Sequence, residues 1–363
     1  MAMRLITPSG DIIYCSKETG SQHSDVFFSA LCGLGALGII LEVTIQCERK
    51  FFLHQLTYPS RLDSVLERLD ENVESCDHFR FLYFPHTDYV SVSITNKVNG
   101  EFLNLSKLEQ QSIESMDLMD QYRLSSERNI IQRISDWIVN YGIGYHLLQF
   151  AYWLSTYEPK IVPIINRLAF WLLYSSNQVK LDISYKVFNF ECLFAQHVNE
   201  WSIPRNKTSE ALLELKTAID NDGLYAHFPI EVRFVRQSSI YLAPSYGRDS
   251  TYINIISYRP YGRHVDHTDY WNRFEEIMKR NGGRPHWAKN HRETAVDLIR
   301  MYPYFRCWSN IRKRLDPNRL FFNSYLDRIF STFPTSTMAI TNESEMIDTV
   351  ESGSSLDLSH SKH

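Results

Sequence analysis

The amino-acid sequence predicts an α+β fold with more than one domain. The chain has 363 residues, of which 44% are hydrophobic and 22% charged, and this length and composition suffice for two domains with sizeable cores. Segments with the period-two alternation of strands are interspersed with amphipathic helical segments along the chain. No internal repeat is present. The elements that support this prediction follow in chain order.

Residues 1–47 predict a strand hairpin, a helix and a third strand. The turn Pro8-Ser9-Gly10-Asp11 separates two apolar strands, the second of which covers residues 12–15. The chain starts within this hairpin, so we expect that further residues of the same domain precede it. A helix is expected over residues 25–32, and the glycine-rich segment 33–38 leads into a strand over residues 39–45.

Residues 48–334 predict a second region of mixed helices and strands. The expected helices cover residues 62–73, 209–220 and 268–281, with further helical structure over 293–314. The expected strands cover residues 79–84, 89–95, 188–192, 230–234 and 252–258. Residues 105–135 are polar and are interpreted as an exposed helix or an excursion. Residues 335–363 are rich in Ser, Thr and acidic residues, which predicts a disordered tail.

Residues 136–175 are unusually apolar, but they do not form a transmembrane span. Neither apolar run, 141–155 or 161–174, reaches the roughly 20 residues needed to cross a bilayer. Prolines and charged residues interrupt this region: Pro159, Lys160, Pro163 and Arg167. Two interpretations remain open. The runs are buried core helices, or they form a hydrophobic hairpin in a membrane interface, where the rings of Trp153 and Trp171 would suit the headgroup level.

Charge and cysteine content exclude several classes of protein. The chain carries 38 Lys and Arg against 42 Asp and Glu, a net charge of -4, so no nucleic-acid partner is expected. Its six cysteines are scattered without a CxxC pair, which predicts reduced, buried thiols, no disulfide framework and no metal site. The N-terminal segment has no apolar or Arg-rich stretch of the kind that targeting peptides carry.

The segment 33–38 matches the pattern G-x-G-x-x-G, but its context argues against a dinucleotide site of the Rossmann type. Such a site needs a strand before the glycines and a helix after them. Here the predicted helix precedes the glycines and the predicted strand follows. Two interpretations remain: a tight helix-to-strand turn that needs small residues, or a close approach of the backbone to a flat or anionic ligand.

Two further segments carry polar side chains that catalysis could use. In the strand predicted over residues 230–234, the period of two places Glu231 and Arg233 on the same face. They form either the wall of a polar pocket or a cross-strand ion pair at the surface. The segment Pro285-His286-Trp287-Ala288-Lys289 combines a proton-transfer group, an aromatic ring and a cation, or is a surface loop with one buried Trp.

Four motifs, in this order, resemble those of the aldonolactone oxidases: GLGALGII, PIEVRF, GGRPHWAKNH and DPNRLFFNSYL. This family of flavoproteins is of the vanillyl-alcohol-oxidase type, and the resemblance covers residues 4–330. The apolar block 136–175 resembles the fungal members most. The resemblance implies that residues 1–47 are the C-terminal part of an FAD-binding domain of the PCMH type. Residues 48–334 would be an α+β substrate (cap) domain with an antiparallel sheet and flanking helices.

The resemblance also implies roles for individual residues. Glu231 and Arg233 match an acid-x-Arg pair in the substrate site, and His286 and Lys289 match the HWxK motif beside the flavin ring. These four are the expected catalytic residues. The expected FAD-binding residues are Gly33, Gly35, Gly38, Ile39, Trp287, Asn323 and Tyr325. The first FAD segment of the family, with its phosphate-binding loop and, in many members, a flavin-linked His, has no counterpart in this sequence.

The reaction implied is oxidation of the C2 hydroxyl of an aldono-1,4-lactone of the D-arabinono type. FAD would take the hydride and O₂ would be the final acceptor, giving an ascorbate-type product and H₂O₂. Lys289 is expected to stabilise negative charge on the reduced flavin, and Arg233 to hold the lactone oxygens. His286 is expected to act as the general base, with Glu231 as the alternative.

The expected partners are therefore a small-molecule sugar lactone and O₂, with peripheral membrane contact through residues 136–175. By the same resemblance the protein is expected at a membrane, in the mitochondrion. Two other functions remain open. In the first, the chain is catalytically silent and acts only by binding a membrane or a partner. In the second, it is a dehydrogenase that passes electrons to a protein acceptor.

Overall fold

A computed structural model of the chain describes residues 1–18, 23–98, 138–189 and 194–330. The excursion predicted over residues 105–135 and the tail predicted over residues 335–363 lie outside these ranges.

The strands of the described residues form two antiparallel sheets. A small sheet has the order β2-β1-β3, and a large sheet has the order β11-β8-β10-β9-β5-β6-β4-β7. The strands are β1 Ala2–Ile6, β2 Ile12–Ser16, β3 Ile39–Thr44, β4 Phe52–Arg61, β5 His78–Tyr83, β6 Tyr89–Val98, β7 Gln178–Ile183, β8 Gln196–Pro204, β9 Ile230–Val235, β10 Ser250–Tyr258 and β11 Arg284–Pro285.

Helices pack against both sheets. The α-helices are α1 Ser24–Ala30, α2 Leu62–Glu67, α3 Leu69–Glu74, α4 Leu148–Ser155, α5 Val162–Ala169, α6 Ser184–Phe188, α7 Thr208–Asn221, α8 Thr268–Arg280, α9 Ala295–Met301, α10 Phe305–Leu315 and α11 Ser324–Phe330. Wider helical turns at Ile138–Leu147 and Phe170–Tyr174 extend α4 and α5. The predicted α+β class, with an antiparallel sheet and flanking helices, is confirmed.

The large sheet has one apolar face and one polar face. Alternate residues of its strands pack with α2, α3, α7 and α8 in the main hydrophobic core. In β8, for example, Trp201 and Ile203 are fully buried in this core, each contributing roughly 1.5–3 kcal/mol by its removal from water. The intervening residues of β8 point to the other face, because side chains alternate along a strand. The polar face is therefore free to form a site.

The apolar block covers one end of the polar face. Tyr152 of α4, Val162 of α5 and the adjoining Phe170 are fully buried in a second hydrophobic core. Buried Asn166 accepts a hydrogen bond from the Tyr152 hydroxyl at 2.8 Å and donates to two backbone carbonyls. The opposite side of the block exposes large apolar side chains: Leu147, Phe150, Leu154, Ile164, Leu168, Trp171 and Leu172. The block is thus a core element with an uncovered apolar face.

None of the helices in the described ranges has the length and apolar character that crossing a bilayer would require.

A third hydrophobic core joins the small sheet and α1 to the last helices of the described residues. Met3 and Phe27 pack in one cluster with Trp287, Trp308 and Phe330. The indole Nε1 of Trp308 donates a hydrogen bond to the backbone carbonyl of Ser29 at 3.1 Å, which ties α10 to α1. The small sheet is therefore supported by helices that lie almost 300 residues later in the chain. The boundary predicted at residue 47 separates the two sheets and stays a prediction.

Most predicted elements are present, and several strands were not anticipated. The predicted helix over residues 62–73 is two short helices that meet at Arg68. The predicted strand over residues 188–192 is wrong at its start, because Phe188 ends helix α6; residues 190–192 lie outside the described ranges. Strands β4, β7 and β8 have no counterpart in the sequence analysis.

None of the cysteines in the described residues forms a disulfide. Burial raises the pKa of Cys15 to about 11 and that of Cys32 to about 12, so both stay protonated near neutral pH. The expectation that the thiols are buried is wrong for Cys47 and Cys307, which are exposed.

Candidate active site

The polar face of the large sheet borders a cavity of about 840 Å³. Among its many polar and aromatic lining residues are Arg80 on β5, Glu231 and Arg233 on β9, Tyr252 on β10, and His286 just after β11. The prediction that Glu231 and Arg233 share one face is confirmed. This cavity, called the sheet-face cavity below, brings together three of the four expected catalytic residues.

Charged side chains in the sheet-face cavity pair across strands. Arg80 Nη1 lies 3.4 Å from Glu231 Oε1, and Arg233 Nε lies 3.8 Å from Glu231 Oε2. Burial lowers the pKa of Arg80, and Glu231 opposes this effect. Burial also acts to lower the pKa of Arg233, but the carboxylates of Glu200 and Glu231 outweigh the effect of burial, so the pKa of Arg233 is raised. The two sequence interpretations of Glu231 and Arg233 are therefore both correct: they are cross-strand ion pairs that line a cavity.

Glu200 on β8 holds Arg233, and the sequence analysis missed it. Its side chain is only 1% exposed, and its Oε1 accepts a short hydrogen bond from the Arg233 guanidinium. Its Oε2 accepts a hydrogen bond from Asn254 Nδ2 at 3.3 Å. A buried carboxylate needs such partners, because an isolated buried charge is strongly unfavourable. The alternation of Glu200 and Ser202 with Trp201 and Ile203 was the available signal in the sequence.

His286 is held by the backbone on both sides. Its N–H donates to the carbonyl of Glu200 at 2.9 Å, and its ring Nδ1 accepts the N–H of Ala288 at 3.2 Å. Burial lowers the pKa of His286; Glu200 opposes this, and the cations of Lys289 and Arg233 add to it. The ring is therefore neutral near pH 7. Because Nδ1 accepts a hydrogen bond, the ring proton lies on Nε2.

Lys289 lines a second cavity, of about 560 Å³, together with Trp287, His291 and Tyr325. This space is called the Lys289 cavity below. The Trp287 indole donates to the carbonyl of Leu242 at 2.6 Å, and the Tyr325 hydroxyl donates to the carbonyl of Trp287 at 3.0 Å. His291 Nε2 lies 3.1 Å from the Tyr325 hydroxyl. His286 and Lys289 are three residues apart, yet they line different cavities.

The other expected cofactor residues lie elsewhere. Gly33, Gly35, Gly38 and Ile39 form the turn between α1 and β3 and line neither cavity. Gly38 has φ of 153°, and a Cβ there would lie 2.7 Å from the carbonyl oxygen of Ile6. The interpretation as a tight turn that needs glycine therefore accounts for Gly38.

Asn323 is a helix cap. Its Oδ1 accepts the N–H of Leu326 at 3.0 Å, which satisfies one of the free donors at the start of α11. Its side chain is exposed and borders neither the sheet-face cavity nor the Lys289 cavity.

The Lys289 cavity carries groups that suit a flavin ring. No ion pair links Lys289 to a carboxylate in the described part of the chain, and Glu275, which lines the same cavity, is paired with Arg292. His291 also lines this cavity, and its Nδ1 is buried without a hydrogen-bond partner among the described residues. The acceptor atoms of a flavin would pair with the Lys289 cation, and a donor group of the cofactor would pair with the lone pair on His291 Nδ1.

Comparison with known proteins identifies the family of the chain. A family model described as D-arabinono-1,4-lactone oxidase matches residues 43–329. L-gulonolactone oxidase of Bos taurus is 43% identical over 331 residues, which is 91% of this chain and 68% of the bovine protein. L-gulono-1,4-lactone dehydrogenase of Mycobacterium tuberculosis is 31% identical over 329 residues, with the same coverage of 91% and 68%.

Among solved structures, a solvent-stable cholesterol oxidase has the same fold. It matches with a TM-score of 0.58 and 13% sequence identity over 90% of this chain and 68% of that chain. At this identity the similarity concerns the fold alone. The family resemblance of the four motifs is confirmed by the sequence matches. The chain therefore belongs to the D-arabinono-1,4-lactone oxidase family and is an FAD-dependent oxidoreductase of the aldonolactone-oxidising type.

Proposed function

We propose that this chain oxidises the C2 hydroxyl of an aldono-1,4-lactone to a ketone, giving an ascorbate-type product, with O₂ as the final acceptor and H₂O₂ as the second product. The observation that carries the proposal is the sheet-face cavity, where Glu231, Arg233 and His286 meet around about 840 Å³. Such a set of donors and acceptors suits an uncharged ring with many hydroxyl groups. When bound, FAD supplies the hydride acceptor.

Arg233 binds the lactone in this proposal. Its guanidinium presents several donors in one plane, which match a lactone carbonyl and a neighbouring hydroxyl. The buried carboxylate of Glu200 fixes the orientation of that plane, and Arg233 itself is 45% exposed toward the cavity. Glu200 is thus a positioning residue.

Glu231 accepts the proton of the C2 hydroxyl, and His286 donates a hydrogen bond to a substrate oxygen. Neutral His286 with its proton on Nε2 is a hydrogen-bond donor to a substrate oxygen, because its Nδ1 is engaged by Ala288. In the part of the chain that the structure describes, the ion pairs of Glu231 are long, at 3.4 Å with Arg80 and 3.8 Å with Arg233, so carboxylate lone pairs remain for the substrate. The geometry therefore favours the alternative base of the sequence analysis.

Lys289 stabilises the negative charge that develops when the cofactor is reduced. Its side chain lines the Lys289 cavity, where the carboxylate of Glu275 is engaged by Arg292 and no ion pair of Lys289 occurs within the described ranges. A preorganised donor of this kind contributes roughly 3 kcal/mol to the transition state, which is a factor of about 100 in rate. Trp287 and Tyr325 line the same cavity and are joined by a hydrogen bond from the Tyr325 hydroxyl to the Trp287 carbonyl.

The test is the rate at which lactone reduces the flavin in holoenzyme carrying Lys289→Met. We expect a loss of about 100-fold, and Lys207→Met serves as the control, because Lys207 lies at the surface and pairs with Glu210. An unchanged rate in Lys289→Met would refute the role of Lys289. A chain that holds no flavin and oxidises no lactone would support the silent alternative, which membership in this family does not favour.

The preferred lactone and the electron acceptor are separate parts of the proposal. The family description names D-arabinono-1,4-lactone, which we propose as the substrate, whereas the bovine relative is named for L-gulonolactone. The ratio of kcat/KM for the two lactones decides between them. The relatives also include an oxidase and a dehydrogenase, and H₂O₂ release in the absence of an added acceptor would support the oxidase.

The uncovered face of the apolar block supports a proposal of peripheral membrane contact. Leu168, Trp171 and Leu172 are each more than half exposed, and Leu147 and Ile164 are similarly exposed. Apolar and aromatic side chains on one face are typical of segments that lie in a bilayer interface.

Flotation with anionic phospholipid vesicles measures this contact. We expect the double change Leu168→Asp and Trp171→Asp to weaken binding by at least about tenfold, since each side chain contributes on the order of 1 kcal/mol or more when buried in lipid. Leu213→Asp, at an equally exposed leucine of α7, is the control. Equal binding of all variants would contradict the proposal. The mitochondrial location stays a prediction.

A further inference from the structure

Three histidine side chains meet beside the start of α8, outside the residues assigned to lactone oxidation. His197 lies on β8, His264 lies in the loop before α8, and His267 immediately precedes the first residue of that helix. One ring nitrogen from each lies within 4.8 Å of the other two. His264 and His267 also line a cavity of about 630 Å³. These residues are called the histidine cluster below.

The hydrogen bonds of the histidine cluster leave ring nitrogens available. His267 Nδ1 lies 2.8 Å from the carbonyl of Val265, and an N–H donated there leaves Nε2 with a free lone pair. Metal-binding histidines are commonly oriented in this way. His197 Nε2 is buried and has no hydrogen-bond partner within the described ranges. An unsatisfied buried nitrogen costs about 1–3 kcal/mol, and a bound ion would remove that cost.

A carboxylate lies beside the histidine cluster. Asp266 precedes His267 in the chain and lines the same 630 Å³ cavity as His264 and His267. A cation held by the three rings would have this carboxylate as a counter-charge.

The spacing is close to that of a three-histidine site. With Zn–N bonds of about 2.0–2.1 Å, tetrahedral geometry places ligand nitrogens about 3.3 Å apart. The cluster must therefore contract by at most about 1.5 Å. The side chain of His264 is exposed and can rotate to close this gap. Three ring nitrogens with cavity space on one side also resemble sites that keep a fourth position open.

We propose that His197, His264 and His267 bind one divalent transition ion of the zinc type, with its open position toward the 630 Å³ cavity. Imidazole ligands suit Zn²⁺ and Ni²⁺, whereas Ca²⁺ and Mg²⁺ require oxygen ligands. The sequence analysis predicts no metal ligand, and this proposal revises that prediction. His267 also lines the Lys289 cavity. A bound ion would therefore lie beside the residues proposed to face the flavin, but it would not be part of the flavin site.

The experiment is a titration of the purified, chelator-treated chain with Zn²⁺ and Co²⁺, followed by calorimetry and by visible absorption. The background carries Cys47→Ser and Cys307→Ser, because exposed thiols also bind Zn²⁺. We expect one ion per chain, a rise in Tm on binding, and affinity reduced by at least about tenfold in His264→Ala. His264 is exposed, so its replacement leaves the core intact.

His54→Ala is the matched control. His54 lies on β4, five strand positions from β8 in the large sheet, or about 24 Å away, and its replacement is expected to leave the affinity unchanged. The proposal is overturned if the parent chain shows no saturable Zn²⁺ binding, or if His264→Ala binds as tightly as the parent. Displacement of Zn²⁺ by Ca²⁺ would also overturn it, because that result requires oxygen ligands.

Discussion

Replacing Arg233 or its partner Glu200 is expected to affect stability very unequally. Glu200 is 1% exposed and Arg233 is 45% exposed. In Glu200→Gln, the guanidinium of Arg233 keeps Glu231 at 3.8 Å and is partly open to water, and the amide keeps one hydrogen bond, so the cost is about 1 kcal/mol. In Arg233→Met, the buried carboxylate keeps Asn254 as its one hydrogen-bond donor among the described residues. Removing one partner of a buried charge costs about 3–5 kcal/mol, and the remaining donor places this case near 3.

Thermal unfolding followed by circular dichroism measures the difference. An unfolding entropy of about 2.1 cal/mol/K per residue converts 3 kcal/mol into about 4 °C for 363 residues. The double variant Arg233→Met with Glu200→Gln has no buried charge, so we expect it to regain most of the loss of Arg233→Met. Equal losses in the two single variants, or strictly additive losses in the double variant, would refute the reasoning.

Three further predictions concern the turn, a helix cap and a buried histidine. Gly38→Ala is expected to lower the free energy of unfolding, measured in urea, by at least about 2 kcal/mol, because its Cβ would meet the Ile6 carbonyl. Gly35→Ala, where φ is 70° but the surrounding space is open, should lower it by only about 1 kcal/mol. Thr294→Ala removes the capping box with Asp297 and should cost about 1 kcal/mol; no change in Tm would contradict the capping role. Burial lowers the pKa of His291 to about 4 from its usual 6.5. The unfolded chain then binds more protons between these values, so stability is lost as pH falls from 6.5 toward 4. His291→Gln should flatten the stability curve in that window, and an unchanged curve would count against the burial of His291.

Period-two patterning predicted the strands that have one clearly apolar face. Strand β9 alternates buried Ile230 and Val232 with Glu231 and Arg233, so both its existence and its polar face followed from the sequence. Strand β4 was missed because nearly all its residues are half-buried on both faces, which leaves no alternation to detect. In β8, Asn199 takes a core-facing position because Glu275 of α8 accepts its hydrogen bond at 3.0 Å. That partner lies 76 residues later, beyond any local pattern.

Of the four expected catalytic residues, the structure places three in one cavity. Glu231, Arg233 and His286 meet in the sheet-face cavity, but Lys289 lines the neighbouring one. The segment that follows β11 continues beside β8, with His286 bonded to Glu200 and Asn290 to Val198. The side chains of this segment therefore face different cavities, and their spacing in sequence does not show which cavity each one faces. Glu200 escaped notice because its role depends on burial, which only the tertiary fold creates.

The cluster that joins Met3 and Phe27 to Trp308 and Phe330 has a consequence for biosynthesis. When the ribosome has completed the first 47 residues, every aromatic anchor from the far end of the chain is still to be translated. The packing of the hairpin against these helices can form only after α10 and α11 have been translated. Contacts of such wide sequence separation form slowly, so the small sheet is expected to complete its packing late in folding.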